Sequence, residues 1–238
     1  MTKGIHRTIF LFAFLLTSTI SRTYLVWGQE RPRFGFEVGL NIGQQVFSHD
    51  IETENSGITK EPRRGFIVGA LYEFSISQPF FFAPELRYIQ KGVRYKGFPM
   101  IQSGNNPPIG LGDLEYQLEY LEAVATLKVK SGSDKFGISL IAAPALGILL
   151  SSHAYQQAYE STGNHFTNNY DISQRTETFE FSMSGGTAIE YNMSAGVSVY
   201  ISGMYSLGLT DIYVRSGIYD AFSHSEGVLV LGGVLFTL

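Results

Sequence analysis

Hydrophobic and polar residues alternate along most of the chain beyond residue 33. In the stretch 34–43, Phe36, Val38 and Leu40 occupy one set of alternate positions, with Gly or Glu between them. Strict alternation is typical of a β-strand whose two faces meet different surroundings. The same period recurs in seven further stretches, which are 65–77, 80–95, 113–130, 136–150, 178–191, 195–209 and 227–238. The pattern therefore predicts an all-β protein of eight strands.

The alternation changes phase once, within 113–130. Leu118 and Tyr120 belong to the apolar set in its first half, and Leu121 and Ala123 belong to it in the second half. One extra residue in a strand restores the order of its two faces, and this is the geometry of a β-bulge. We interpret the shift as a bulge near Tyr120-Leu121.

The connections between the predicted strands alternate in length. Short turns at 77–79, 131–135 and 192–194 separate long polar segments at 44–64, 92–112, 151–177 and 210–226. This order is typical of an up-and-down transmembrane β-barrel with short periplasmic turns and long extracellular loops. An even number of strands places both termini at the same side, which we expect to be the periplasmic side.

The composition agrees with strands that have one apolar face. The chain is 44% hydrophobic but only 16% charged, against about 25% in an average soluble domain, and its mean hydropathy is +0.05. The absence of cysteine excludes disulfides, thiol catalysis and cysteine-based zinc sites. A net charge of −4 argues against a nucleic-acid-binding surface.

The first 28 residues read as a targeting signal. Lys3 and Arg7 precede the apolar run 9–16, which is too short to span a bilayer as a helix. A basic start, a short apolar run and a small residue at the end are typical of a secretory signal peptide. We predict that residues 1–28 are cleaved after Gly28 and that 29–238 form one barrel domain.

The polar face of the strands carries mainly Gly, Ser and Asn, and this composition suits a crowded lumen better than a surface in water. We therefore expect the apolar face to contact lipid and the charged residues of the polar face to lie inside. Buried charges must pair or neutralise. The interpretation that we favour is an ion-pair network that closes the barrel, and the alternative is a path for protons or cations. The expected lumen charges are Glu37, Glu73, Glu85, Arg87, Lys91, Glu119, Glu122, Lys128, Glu180 and Glu190.

Aromatic residues of the apolar face fall near the two ends of the strands. Two such bands predict aromatic girdles at the membrane interfaces. The alternatives are core aromatics of a soluble sandwich or of a soluble lipid-binding barrel. The expected interface aromatics are Phe34, Phe66, Phe74, Phe80, Phe82, Tyr88, Tyr116, Phe136, Phe179, Tyr191, Tyr205 and Phe236.

Four stretches resemble the PorT-like outer-membrane β-barrel family of Gram-negative bacteria. These are GFIVG at 65–69, FAPELRYIQKG at 82–92, LEYLE at 118–122 and YSLGLTDI at 205–212. The resemblance implies an eight-stranded outer-membrane barrel and points to strand and turn chemistry, with no active site. One founding member of that family is implicated in protein secretion to the cell surface.

The histidines beyond the signal segment all lie in the predicted long loops, beside hydroxyl and carboxylate residues. They are His49, His153, His165 and His224. Such a set could serve an enzyme at the barrel rim that acts on lipid acyl chains, or a metal site. Their spacing matches no metal motif, so we expect no catalytic residue, metal or cofactor. The same loops hold Tyr155, Tyr159, Phe166, Tyr170, Tyr213, Tyr219 and Phe222, and aromatic loops of this kind suit protein or glycan recognition.

The sequence as a whole predicts a porin-like integral outer-membrane protein with a structural or surface-interaction role. The alternatives are a component of transport or protein secretion and, less favoured, a rim enzyme that modifies lipid. The expected partners are outer-membrane lipid and lipopolysaccharide, the barrel-assembly machinery during insertion, and a protein or glycan ligand at the surface. No nucleic-acid partner is expected.

Overall fold

The computed structural model of the protein describes residues 31–47, 57–100, 110–159, 165–194, 196–214 and 222–238. The predicted signal peptide lies outside the described residues. Within them, no helix is long and apolar enough to cross a membrane. The strands are β1 (Arg33–Phe47), β2 (Thr59–Ser77), β3 (Phe80–Met100), β4 (Gly110–Gly132), β5 (Phe136–Tyr159), β6 (His165–Asp171), β7 (Phe179–Ser194), β8 (Val197–Gly208) and β9 (Ser223–Thr237), and a short 3₁₀ turn spans Ser173–Arg175.

Eight of these strands form a closed antiparallel ring in the order β1-β2-β3-β4-β5-β7-β8-β9. Arg33 of β1 pairs with Glu73 of β2 on one side and with Thr237 of β9 on the other, which closes the ring. The predicted eight-stranded barrel is confirmed. Both described chain ends and the short turns lie at one end of the barrel, which we call the turn end. That this end faces the periplasm stays a prediction.

The strands run further than the alternation predicted, and the ninth strand, β6, was not predicted at all. β2, β3, β4 and β5 continue into the expected loops 44–64, 92–112 and 151–177, and β6 pairs with the last residues of β5. The stretches 59–64 of β2 and 151–157 of β5 carry polar residues on both faces. The contrast between faces that identifies a half-buried strand is therefore missing there, and the sequence reads as loop. We call this end of the barrel the extended end.

The barrel has its apolar residues outside and its polar residues inside. In β1, Val38 is 62% exposed while its neighbour Glu37 is 3% exposed. The outward run from Phe34 to Ile42 spans about 20–25 Å along the barrel axis, given a rise of ~3.3 Å per residue and a strand tilt of ~40°, and this matches the apolar band of an outer-membrane barrel. The apolar face therefore fits lipid, as predicted.

The phase change lies in β5 and not in β4. The inward residues of β4 stay at even positions from Leu118 and Tyr120 to Lys128, without interruption in the pairing with β3. The register between β4 and β5 shifts at Glu119 and Tyr120, where Leu150 of β5 is the extra residue. The predicted bulge at Tyr120-Leu121 is therefore wrong. The sequence pattern indicated a bulge because Leu118 and Tyr120 are apolar and yet point inward. They belong to a buried apolar cluster that also contains Ile67 and Ile212.

Glycine allows a close strand approach at Gly92. Its φ is +146°, and an added Cβ would lie 1.9 Å from the carbonyl oxygen of Tyr116. We expect Gly92→Ala to destabilise the barrel by about 1–3 kcal/mol, because the strained backbone and the clash cannot both relax. Gly203→Ala is the matched control, since nothing lies within 4 Å of its added Cβ. Urea unfolding followed by heat-modifiable gel mobility measures both, and equal midpoints would contradict this reading of Gly92.

Candidate functional site

Near the turn end, the lumen holds an ion-pair cluster around two glutamates, which we call the lower cluster. Glu73 is 1% exposed and accepts hydrogen bonds from Lys128 Nζ at 3.0 Å and Lys130 Nζ at 2.7 Å, as well as from the Arg33 guanidinium. Glu190 shares Lys130 at 3.0 Å and also accepts from Arg33. Each carboxylate thus faces at least two cations, so the charges of this cluster are paired inside the barrel.

A second group of charges, the upper cluster, lies toward the extended end. Glu122 accepts a hydrogen bond from Arg87 Nε at 2.7 Å and contacts Lys91 Nζ at 2.8 Å. Lys91 also donates to Glu180 at 3.0 Å, and the Ser225 hydroxyl donates to the same carboxylate. The four charged side chains are at most 6% exposed. This cluster therefore links β3, β4, β7 and β9 across the lumen.

Two glutamates lie between the clusters. Glu37 accepts a hydrogen bond from the Tyr200 hydroxyl at 2.7 Å, and its other oxygen has no partner among the described residues. Glu85 lies near Glu37, has Lys128 and Arg87 as cationic neighbours, and shares a hydrogen bond with the side chain of Thr126. Both terminal nitrogens of Arg87 also lack a hydrogen-bond partner within the described part of the chain. The middle of the lumen thus contains polar groups that are incompletely paired among the described residues.

The structure places nine of the ten expected lumen charges on the inward face. Glu119 is the exception, because it points outward and accepts hydrogen bonds from the side-chain amides of Gln90 and Gln117. Its assignment followed from the misplaced bulge and is corrected here. Arg33 and Lys130 belong to the lumen and were not predicted, although each shares the inward parity of its strand. With Arg33 and Lys130 included, the described lumen contains six glutamates and five cationic side chains, so negative and positive charges nearly balance.

The extended end of the lumen is covered by chain segments that fold inward. Ile212 is fully buried, and Tyr213 donates a hydrogen bond to the buried Gln45 at 2.9 Å while its ring stacks on Phe47. The backbone N–H of Glu177 donates to Ile212 O at 2.7 Å, which joins the segments 172–178 and 209–214 over the mouth. We call these two segments the cap. Parts of the expected loops 151–177 and 210–226 are therefore buried and ordered by the barrel.

Little space is left between the described side chains inside the barrel, where inward residues such as Glu73, Tyr120 and Ile212 are at most 1% exposed. A cavity of about 10 Å³ lies beside Lys91, Asn41 and Ser225, which is room for roughly one water molecule. The two ion-pair clusters and the cap fill the lumen on either side of it. An eight-stranded barrel is just wide enough for its side chains to fill the interior, and here they do.

Most of the expected interface aromatics point outward in two bands. Phe74 and Phe82 form an edge-to-face pair at 5.5 Å near the turn end, and Phe66 lies 5.1 Å from Tyr88 nearer the extended end. Tyr116 is a correction, because it points inward and contacts Tyr213 of the cap. This error has the same source as that at Glu119. Phe36 and Phe181 also point outward and are more than half exposed, although they were not among the expected interface aromatics.

The histidines do not come together in the described part of the chain. His153 lies on β5 and His224 on β9, and β7 and β8 separate these strands in the ring. Neither Nδ1 atom has a hydrogen-bond partner among the described residues. His49 and the side chain of His165 lie outside the description. Within it, no three His, Asp or Glu side chains lie close enough to hold a metal ion.

The loop aromatics have several environments. Tyr155 lies beside His153, Phe222 beside His224, and the Tyr170 hydroxyl donates to Gln156 at 3.4 Å. Tyr213 is part of the cap and is only partly exposed. Tyr219 and the side chains of Tyr159 and Phe166 lie outside the description.

Comparison with protein families decides the broad identity of this barrel. Residues 27–214 match the family model described as outer membrane protein beta-barrel domain. The chain belongs to this family. The match covers β1 to β8, which is most of the ring of strands. The protein is therefore a bacterial outer-membrane protein, and its outward apolar band faces lipid. No curated protein matches the chain.

Solved structures with a similar trace are outer-membrane barrels of several kinds. They include Neisserial surface protein A, with 11% identity over 86% of this chain and 97% of that chain, at a TM-score of 0.44. The attachment invasion locus protein Ail of Yersinia pestis has 9% identity over 87% and 100% of the two chains, at 0.39. The outer-membrane protease OmpT of Escherichia coli has 8% identity over 88% and 94%, at 0.41.

Proposed function

We propose that the protein has a structural or surface-interaction role, as a closed barrel that holds its extended end at the cell surface, and that it is not an enzyme. The observation that carries this proposal is the filled lumen. The lower cluster, the upper cluster and the cap occupy the interior from one end to the other. The strands β2 to β6 at the extended end are then the part of the molecule that is free to meet a partner.

The alternatives receive less support from the geometry. A transport or secretion role needs a continuous path, and the space beside Lys91 holds about one water molecule. A rim enzyme of the serine–histidine type needs a base within hydrogen-bond reach of a nucleophile, and the Nδ1 atoms of His153 and His224 have no hydrogen-bond partner among the described residues.

The proposed partners follow from the two outer surfaces. The apolar band suits outer-membrane lipid and lipopolysaccharide, and its exposed strands require the barrel-assembly machinery for insertion. The extended end suits a protein or glycan ligand at the cell surface. Within the family, we propose the PorT-like group for this chain, on the resemblance of the stretches 65–69, 82–92, 118–122 and 205–212. The first three lie on the ring strands β2, β3 and β4, and the last runs from β8 into the cap.

A variant with a shortened β5–β6 hairpin tests the proposed role. Ala154 and Tyr170 are paired, so a Gly-Ser turn can replace 155–169. The replacement also removes the last four β4–β5 pairs, from Glu115↔Tyr155 to Gly112↔Ala158, and leaves the remaining pairs of the ring in place. We expect the purified wild type to bind members of a protein and glycan array and the shortened variant to lose that binding. Both should keep heat-modifiable mobility and give planar-bilayer conductance equal to that of the empty bilayer. Stepwise conductance, or binding that survives the deletion, would contradict the proposal.

A further inference from the structure

β6 is a strand with one paired edge. It forms an antiparallel ladder with β5 from His153↔Asp171 to Tyr159↔His165, and no other described strand pairs with it. Its residues 167–171 are all exposed. β6 therefore ends the sheet at the extended end of the barrel, whereas the ring strands close on one another.

The register identifies the backbone groups of β6 that have no partner in any described strand. Ile172 N donates to Ser152 O at 3.0 Å, so this pair belongs to the hydrogen-bonded set. In an antiparallel ladder such pairs alternate with pairs that do not exchange hydrogen bonds. Tyr170 and Asn168 therefore point their backbone groups at β5. The N–H and C=O groups of Thr167, Asn169 and Asp171 point the other way, toward the free edge.

This edge lacks the features that usually prevent pairing. Natural edge strands are commonly blocked by Lys, Pro or a bulge, and β6 has the sequence HFTNNYD with a regular register. The one charge among residues 167–171 is Asp171, whose carboxylate accepts a hydrogen bond from Ser173 N at 2.9 Å. From Thr167 to Tyr170 the edge is uncharged and extended.

We propose that the free edge of β6 binds an extended segment of another polypeptide by strand addition. A row of alternating N–H and C=O groups is completed by a peptide backbone, and neither a glycan nor a lipid offers that spacing. The segment has no charge opposite 167–170. Tyr170 is 50% exposed and lies on the same face of the sheet as the buried Ala154. The bound segment therefore places an apolar or aromatic side chain beside Tyr170. This inference deepens the proposed surface role and rests on it.

A second copy in the same membrane does not fit this edge. Two barrels in one membrane are related by an axis along the membrane normal. Their β6 strands therefore run in the same direction relative to the membrane. Antiparallel pairing of identical edges needs an axis perpendicular to the strands. The partner is therefore a different chain, or a segment that arrives from outside the cell.

Proline at Asn169 tests the edge without disturbing the β5 ladder. Asn169→Pro removes an N–H that points away from β5 and fills the edge with the proline ring, and edge strands tolerate proline at such positions. Asn169→Ala is the matched control, because it keeps the N–H and removes only the side chain. The probe is a synthetic peptide with the sequence of residues 151–159, the segment that already forms an antiparallel ladder with β6.

The readout is residue-resolved amide hydrogen exchange of the folded barrel in detergent. At ten times the half-saturating peptide concentration, we expect exchange at Thr167, Asn169 and Asp171 to slow by about tenfold in the wild type. Asn169→Ala should keep this protection at Thr167 and Asp171, and Asn169→Pro should lose it.

Three results would overturn the inference. They are no protection at millimolar peptide, protection that survives Asn169→Pro, and protection of the same amides before peptide is added, since a segment of the chain itself would then cover the edge. The array experiment separates this inference from the proposed function. Binding lost on shortening the hairpin but kept in Asn169→Pro rejects strand addition and leaves the surface role standing.

Discussion

Glu73→Gln is expected to destabilise the barrel by about 3–5 kcal/mol, the cost of removing one partner from a buried ion-pair network. The carboxylate of Glu73 accepts from Lys128, Lys130 and Arg33 and is 1% exposed. Without it, Lys128 loses its direct ion-pair partner, and Lys130 and Arg33 keep only Glu190. The measurement is the urea dependence of the folded fraction, followed by heat-modifiable mobility and far-ultraviolet circular dichroism.

Glu61→Gln is the matched control for this variant. Glu61 pairs with Lys96 at 2.8 Å, but both side chains are more than one third exposed, so losing this pair should cost about 0–1 kcal/mol. Equal unfolding midpoints for Glu73→Gln and Glu61→Gln would show that the lower cluster does not stabilise the barrel.

Val38→Arg is expected to cost about 2–4 kcal/mol in a bilayer, the range for arginine near the midplane on the lipid face of an outer-membrane barrel. Val38 lies at the centre of the outward run from Phe34 to Ile42 and is 62% exposed. Gln44→Arg, on the same face of the same strand but beyond the apolar run, should cost about 0–1 kcal/mol.

The size of this effect distinguishes a barrel in a membrane from a soluble one. In water, arginine at a side chain as exposed as Val38 would change stability by only about 0.5 kcal/mol. The experiment compares unfolding of both variants in phospholipid vesicles. A Val38→Arg barrel as stable as Gln44→Arg would mean that the apolar face does not contact lipid.

The sequence predicted the ring because each strand separates two kinds of surroundings. Alternation at Phe36, Val38 and Leu40 determines which residues share a face, and the small, weakly charged opposite face indicates a lumen. Where both surroundings are alike, this argument fails. In β6 and at the ends of β2 and β5 both faces carry polar residues, so these stretches read as loops.

The errors in the candidate site have one physical origin. The lumen beneath the cap is apolar, so Leu118 and Tyr120 point inward and look in the sequence like lipid-facing residues. Because of this reversal, the sequence pattern assigned Tyr116 and Glu119 to the wrong faces of β4. The cap itself depends on contacts between segments distant in the chain, such as Tyr213 with Gln45, and local alternation carries no signal for these.

A nitroxide scan of β1 tests the central claim, that the apolar face meets lipid and the polar face is enclosed. The chain has no cysteine, so single cysteines can be introduced and spin-labelled from 36 to 42 in the folded barrel in vesicles. The account predicts that dissolved oxygen, which concentrates in lipid, relaxes labels at Phe36, Val38, Leu40 and Ile42, and that a water-soluble nickel complex reaches none of them. Oxygen accessibility should alternate with a period of two. Relaxation of these four labels by the nickel complex, or the absence of that period, would contradict it.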